Sequence, residues 1–353
     1  MTAPRLEIRL DRIEHNARAL VERLGARGIA VTGVTKASLG SSEVARAMLA
    51  AGASGLGESR LDNVVRLRIA GITAPIVLIR APMPSQVADV VRHADSSLNT
   101  EPVVLELLSA AAVAQQRRHG IVLMVELGDL REGILIDDVA DIAKLVLSRP
   151  GLELRGIGTN LACQSGVVPD DVNMGVLSEL ATSLEADLGV SLATVSGGNS
   201  ANLDWALSGA DVGRVDDLRL GEAILLGCEP LRRTPIDGLA TDAFSLVAEV
   251  IEAKVKPSRP WGTIAQTAFG PRPAAPDHGD GNRAIVALGR QDVDPDGLGA
   301  PDGIVILGAS SDHLVLDTGA TPLTVGAEVR FSLDYRALLR AMTSVFVTRQ
   351  FVA

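Results

Sequence analysis

Cysteine, aromatic residues and lysine are all scarce in this chain, and long uncharged apolar runs are missing from it. The two cysteines, Cys163 and Cys228, are too few for a disulfide framework and lack the paired spacing of a zinc site. A reducing compartment and no metal are expected. One Tyr, two Trp and five Phe leave almost no platform for stacking bases, and a net charge of −10 leaves no basic footprint for nucleic acid or anionic lipid. Charges interrupt every apolar run before it reaches bilayer-spanning length. The opening MTAPRLEIRLDRIEHNARAL sets Arg5, Glu7, Arg9, Asp11 and Glu14 among its apolar positions, so no signal-peptide core is expected. These absences point to a soluble, cytoplasmic protein with a small-molecule substrate and neither nucleic acid nor membrane as partner.

What is present is aliphatic. Hydrophobic residues make up 47% of the 353 positions while aromatics make up 2%, so the cores are filled by Ala, Val, Leu and Ile, and the length calls for two domains. LDRIEHNARALVERLGA has helical spacing, and from Ile29 short apolar runs such as IAVTGVTK, APIVLIR and IVLMVEL alternate with amphipathic stretches such as SSEVARAMLAAGA and DDVADIAKLVLS. About eight strand-helix units predict an α/β fold, a (β/α)8 TIM-type barrel, over residues 1–240 with the N-terminal strand and helix included. From residue 241 to 353 the texture changes to SLVAEVIEAKV, RAIVALG, HLVLDTG and EVRFSLDY, which predicts a β-strand-rich C-terminal domain. The stretch from Gly270 to Asn282 reads as a long exposed loop.

In such a barrel the reactive groups close the strands at their C-terminal ends. Lysine occurs only at 36, 144, 254 and 256, among 33 basic residues. Lys144 lies in a solvated helical pattern, and Lys254 and Lys256 lie on one face of an expected edge strand. Lys36 alone ends a buried strand, where desolvation favours the neutral amine that forms an imine with an aldehyde or ketone. The alternative is a strand-end lysine paired to a carboxylate such as Glu58. SGGNSANL can turn backbone N–H groups and the Ser200 hydroxyl toward a phosphate, and RLGE offers a second glycine turn. The same glycines also suit plain βα turns.

The segments RLEIRLDRIEHNARAL, GVTKASLG, VELGDLREGI, GIGTNLAC, SGGNSANL, LRLGEAILLG, ALGRQDVD and LGASSDHLVLD, in this order, resemble the alanine-racemase-like pyridoxal-phosphate (PLP) enzymes of fold type III, in particular the ornithine racemase branch. The resemblance implies that Lys36 carries PLP as a Schiff base and moves the α-proton on one face of the substrate. Arg219 matches the arginine that hydrogen-bonds the pyridine nitrogen. Ser200, Gly221 and Glu222 match phosphate contacts, Arg131 an arginine near the ring oxygen, and Asn160 the place of a ring-stacking histidine. A homodimer is implied too, because in relatives the β-domain of one subunit completes the barrel site of the other.

One departure stands out. The tyrosine that serves as the second base in alanine racemases would fall near Leu288, and the chain's one tyrosine, Tyr335, matches a different position. Candidates for the second proton carrier are His313, Asp312, Asp292 and Cys163. A basic substrate such as ornithine or lysine also needs carboxylates for its terminal ammonium, and Asp129, Asp292, Asp294 and Asp312 are available. The expected activity is therefore racemisation of a free amino acid, ornithine or lysine first. Alanine or another small amino acid is the alternative, or a PLP lyase of the D-threonine aldolase or D-serine dehydratase type. A non-catalytic PLP-binding protein is disfavoured by the β-rich domain.

Overall fold

The computed structural model describes residues 3–270 and 279–352. Strand β1 (Arg5–Arg9) runs directly into helix α1 (Leu10–Gly25). Ile13, Ala17, Leu20 and Leu24 recur at helical spacing on α1 and are all fully buried, the larger ones worth roughly 1.5–3 kcal/mol each. Asp11 in the first turn and Arg23 in the last complement the helix dipole.

Eight parallel strands then close a barrel: β2 (Ala30–Val34), β3 (Gly55–Glu58), β4 (Ile76–Leu78), β5 (Ser96–Asn99), β6 (His119–Met124), β7 (Leu152–Gly158), β8 (Thr194–Gly198) and β9 (Asp217–Leu220), with β9 pairing back onto β2. The alternation of short apolar runs with amphipathic helices is thus realised as expected. Closure is tight where β7 meets β8. A Cβ on Gly156 would lie 1.8 Å from the Thr194 carbonyl oxygen, so no side chain fits there.

The second unit is a mostly antiparallel sheet of β10 (Phe244–Pro257), β11 (Asp280–Val286), β12 (Leu298–Gly299), β13 (Val305–Ala309), β14 (Leu314–Asp317), β15 (Glu328–Leu333) and β16 (Thr348–Val352). It is not continuous in sequence. It comprises residues 1–10 and 242–353, and the barrel unit comprises 11–241. Strand β1, which the sequence pattern groups with the barrel, instead pairs antiparallel with β10 and parallel with β16. Leu6 and Ile8 are fully buried on one of its faces while Arg5 and Glu7 form an ion pair on the other.

Two further expectations can now be placed. Strand β10 has β15 and β1 beside its first half, but among the described residues 252–257 pair with β11 alone, so Lys254 and Lys256 do lie on a stretch with one open side; both pair with Glu252. Of the loop expected from Gly270 to Asn282, residues 271–278 lie outside the described residues, and Asp280, Gly281 and Asn282 already belong to β11. Among the described residues no helix is long and apolar enough to cross a membrane.

Candidate active site

Lys36 starts a short 3-10 turn (Lys36–Ser38) two residues past the end of β2. The turn is fixed from several sides. Thr35 N donates to the Gly57 carbonyl at 3.0 Å, Ser38 Oγ to the Thr35 carbonyl at 2.9 Å, and Gly40, at φ +61°, packs so closely on Asn63 that a Cβ would approach it to 2.7 Å. Glu58, the carboxylate considered as a partner for Lys36, is fully buried. It accepts from the Thr35 hydroxyl at 3.0 Å and from Ser59 N at 2.7 Å, and burial pushes its carboxyl up.

Arg219 is on β9, next to β2 in the barrel wall, with Thr32 and Arg219 in register. Its guanidinium is buried; Nη1 donates to Ser196 Oγ and Nη2 donates to the Thr159 carbonyl at 2.6 Å. One side chain therefore links β9 to β8 and to the end of β7. Desolvation pushes its pKa down, opposed chiefly by the charge of Asp217.

The turns after β8 and β9 are tied to each other, because Ala223 N donates to the Ser200 hydroxyl at 3.2 Å. Gly221 lies against the end of β2, where an added Cβ would meet Val34 Cβ at 3.2 Å. The Glu222 carboxylate accepts from Arg233. Between β7 and its helix, Asn160 Oδ1 accepts from Asn199 Nδ2 at 3.1 Å, while Asn160 Nδ2 is buried with no hydrogen-bond partner. The same Asn199 amide reaches the Leu161 carbonyl at 2.8 Å and Cys163 Sγ at 3.6 Å, so Cys163 stands beside Asn160 as an exposed thiol.

Asp129 and Arg131 take roles that sequence could not specify. The Asp129 carboxylate is 2% exposed and accepts three backbone N–H groups, from Cys163 at 3.2 Å and from Gln164 and Ser165 at 3.0 Å each. It is the organiser of the Cys163 loop. Arg131 is half-exposed, grips its neighbour Glu132 through both Nε and Nη2, and also lies near Cys163; these partners hold its pKa above the ordinary guanidinium value.

In the β-rich unit, the segments ALGRQDVD and SSDH meet each other. Arg290 N donates to the Ser310 carbonyl at 2.9 Å and Gln291 N to the Ser311 carbonyl at 3.0 Å. Gly289 makes this possible, since a Cβ there would lie 2.3 Å from Asp312 N. Asp292 Oδ2 accepts from Gly289 N at 2.8 Å, and burial, reinforced by the nearby Asp312, raises its pKa. Asp294 caps a short turn by accepting from Asp296 N. Leu288 is fully buried, and Tyr335 begins a helix (Tyr335–Thr343) capped by Asp334.

With this geometry in hand, the comparisons with known proteins are decisive. The family model described as alanine racemase, N-terminal domain, matches residues 8–229. The chain belongs to the alanine racemase family. Lysine racemase of Thermotoga maritima is 40% identical over 353 residues, covering 99% of this chain and 98% of that protein. Ornithine racemase of Acetoanaerobium sticklandii is 34% identical over 351 residues, covering 98% and 99%. Among solved structures, alanine racemase of Streptomyces lavendulae superposes with a TM-score of 0.77 at 21% identity over 100% of this chain and 98% of that one. D-threonine aldolase of Filomicrobium marinum gives 0.74 at 16%, over 97% and 89%. At these identities the structural likeness speaks to the fold alone.

Sequence reasoning gave no role to Ser196 or Asp217, which flank Arg219 inside the family barrel. The signal was present: Asp217 and Arg219 are two apart on one short strand, hence on one face of it.

Proposed function

We propose that this amino-acid racemase acts on a free basic amino acid, ornithine or lysine, using PLP held on Lys36. The observation that carries the proposal is the set of side chains on successive strand ends of one barrel: Lys36 after β2, Asn160 after β7, Ser200 after β8 and Arg219 on β9. This donor set fits PLP. The lysine suits the aldehyde, Arg219 the pyridine nitrogen, Ser200 with the Gly221 and Glu222 backbone the phosphate, and Arg131 the ring oxygen. The buried Nδ2 of Asn160 is a donor that costs free energy unless an acceptor meets it, and a cofactor beside it supplies one. When bound, PLP supplies an aldehyde carbon that joins the substrate amine and a ring that draws electrons from Cα.

The residues divide the proton work. Lys36 Nζ takes the α-proton on one face in one direction of the reaction and delivers it there in the other. His313 does the complementary transfer on the opposite face, its Nδ1–H donated to Asp312 so that Nε2 is left to accept or give the proton. The pair reaches the substrate from the β-rich domain of a partner subunit in a homodimer. Asp292 holds the terminal ammonium, and the Asp129 carboxylate acts indirectly by fixing the loop that brings Cys163 to the substrate. The curated relatives named for lysine and ornithine support the substrate class, and the free thiols Cys163 and Cys228 agree with a cytoplasmic setting.

The test is α-proton exchange in deuterated water over a panel of amino acids, with chiral analysis of the products. Ornithine and lysine should exchange and interconvert fastest. Turnover of alanine alone, or cleavage of 3-hydroxy amino acids in place of racemisation, would overturn the assignment.

A further inference from the structure

A chain of hydrogen bonds runs through three neighbouring barrel strands below Arg219. Ser196, on β8, donates its hydroxyl to Asp217 Oδ2 at 2.5 Å, and Thr32, on β2, donates to Asp217 Oδ1 at 2.7 Å. Ser196 Oγ in turn accepts from Arg219 Nη1. A serine hydroxyl has one hydrogen, and here the Asp217 carboxylate takes it. Toward Arg219 the same oxygen can then act only as an acceptor. Arg219 is 5% exposed, and Asp217 supplies the main opposing charge to its desolvation.

The interposed hydroxyl matters chemically. A carboxylate paired directly with a guanidinium commonly takes two of its N–H groups. Ser196 takes one and the Thr159 carbonyl another, out of the five that a guanidinium carries. The others remain for a further acceptor. Asp217 itself is only half-buried, since a cavity of about 430 Å³ lined by Thr32, Ser196, Asp217 and Arg219 opens among the strand starts Ala30, Ser96 and Thr194. Water can therefore reach this carboxylate from the end of the barrel opposite Lys36.

We propose that Asp217 is a positioning residue: through Ser196 it fixes the orientation of Arg219, and so sets how Arg219 engages the pyridine nitrogen of the cofactor. The inference rests on the PLP reading above and goes beyond it by assigning work to two residues, Ser196 and Asp217, to which that reading gives none.

The full chain, loaded with PLP labelled with nitrogen-15 in the ring, provides the test. Ser196→Ala and Asp217→Asn should each move the ring-nitrogen resonance from its wild-type position and weaken PLP binding roughly tenfold, the effect of one lost charge-assisted hydrogen bond. Thr32→Val removes the hydrogen bond on the side of Asp217 away from Arg219, and should leave the resonance in place. If Asp217→Asn does not fold, Ser196→Ala decides alone. An unchanged resonance in PLP-loaded Ser196→Ala overturns the inference, as does an equal displacement in Thr32→Val, which would mark a merely structural network. A wild-type chain that takes up no PLP would instead overturn the cofactor reading itself.

Discussion

His313 Nδ1 lies 2.8 Å from Asp312 Oδ1, on the turn that joins β13 to β14. The histidine holds the Asp312 carboxyl below the usual carboxylate range, so the aspartate is ionised and orients the ring. If the pair is the second proton carrier, His313→Ala should lower racemisation about 10²–10⁴-fold. Exchange of the α-proton should persist in the one enantiomer whose proton faces Lys36. Separate exchange assays on the two enantiomers read this directly, and equal loss in both would remove His313 from the reaction.

Lys36→Ala should abolish both the visible absorbance of bound PLP and turnover. Borohydride treatment followed by mass analysis should find the cofactor fixed to residue 36 in the wild type and nowhere in the variant. A reducible adduct that survives the substitution would place the Schiff base on another lysine.

Asp129→Ala leaves three backbone N–H groups of residues 163–165 without their acceptor. A loss of roughly 2 kcal/mol of stability is expected, together with a raised KM, because the Cys163 loop is no longer held. Thermal melts and steady-state kinetics measure the two effects. A variant that keeps its melting temperature and loses only substrate affinity would return Asp129 to direct substrate contact.

A fourth prediction concerns acid stability. His119 is fully buried at the start of β6, its Nε2 2.8 Å from Ser97 Oγ, and burial lowers its pKa from 6.5 to about 4. Between those values the unfolded chain binds the proton and the folded chain does not. Stability should therefore fall as pH drops from 6.5 to 4, level off below, and change by at most about 3 kcal/mol from this residue. Urea denaturation across that range should show a shallower slope for His119→Gln, and parallel curves would rule the histidine out.

The barrel was legible because each of its strands is local: a short apolar run between turn residues announces itself without reference to the rest of the chain. The places of Lys36, Ser200 and Arg219 in the barrel were legible for the same reason, each closing or following such a run. What sequence could not give was direction. Asp129 has the chemistry to hold an ammonium, yet its carboxylate turns to three amides of a loop more than thirty residues on. Asp217 meets its partners Ser196 and Thr32 only when β9 closes the barrel between β8 and β2. Strand β1 is expected as a strand but grouped with the wrong sheet, because alternation shows that a strand exists and says nothing about which sheet receives it.

That strand also orders events during synthesis. Residues 5–9 leave the ribosome well before their parallel partner, residues 348–352. The barrel segment, residues 11–241, can acquire all its own strands while β1 is still waiting for both of its neighbours. Until β10 has been made, Leu6 and Ile8 have no sheet in which to bury, and β1 is open to wrong partners throughout the synthesis of the barrel segment.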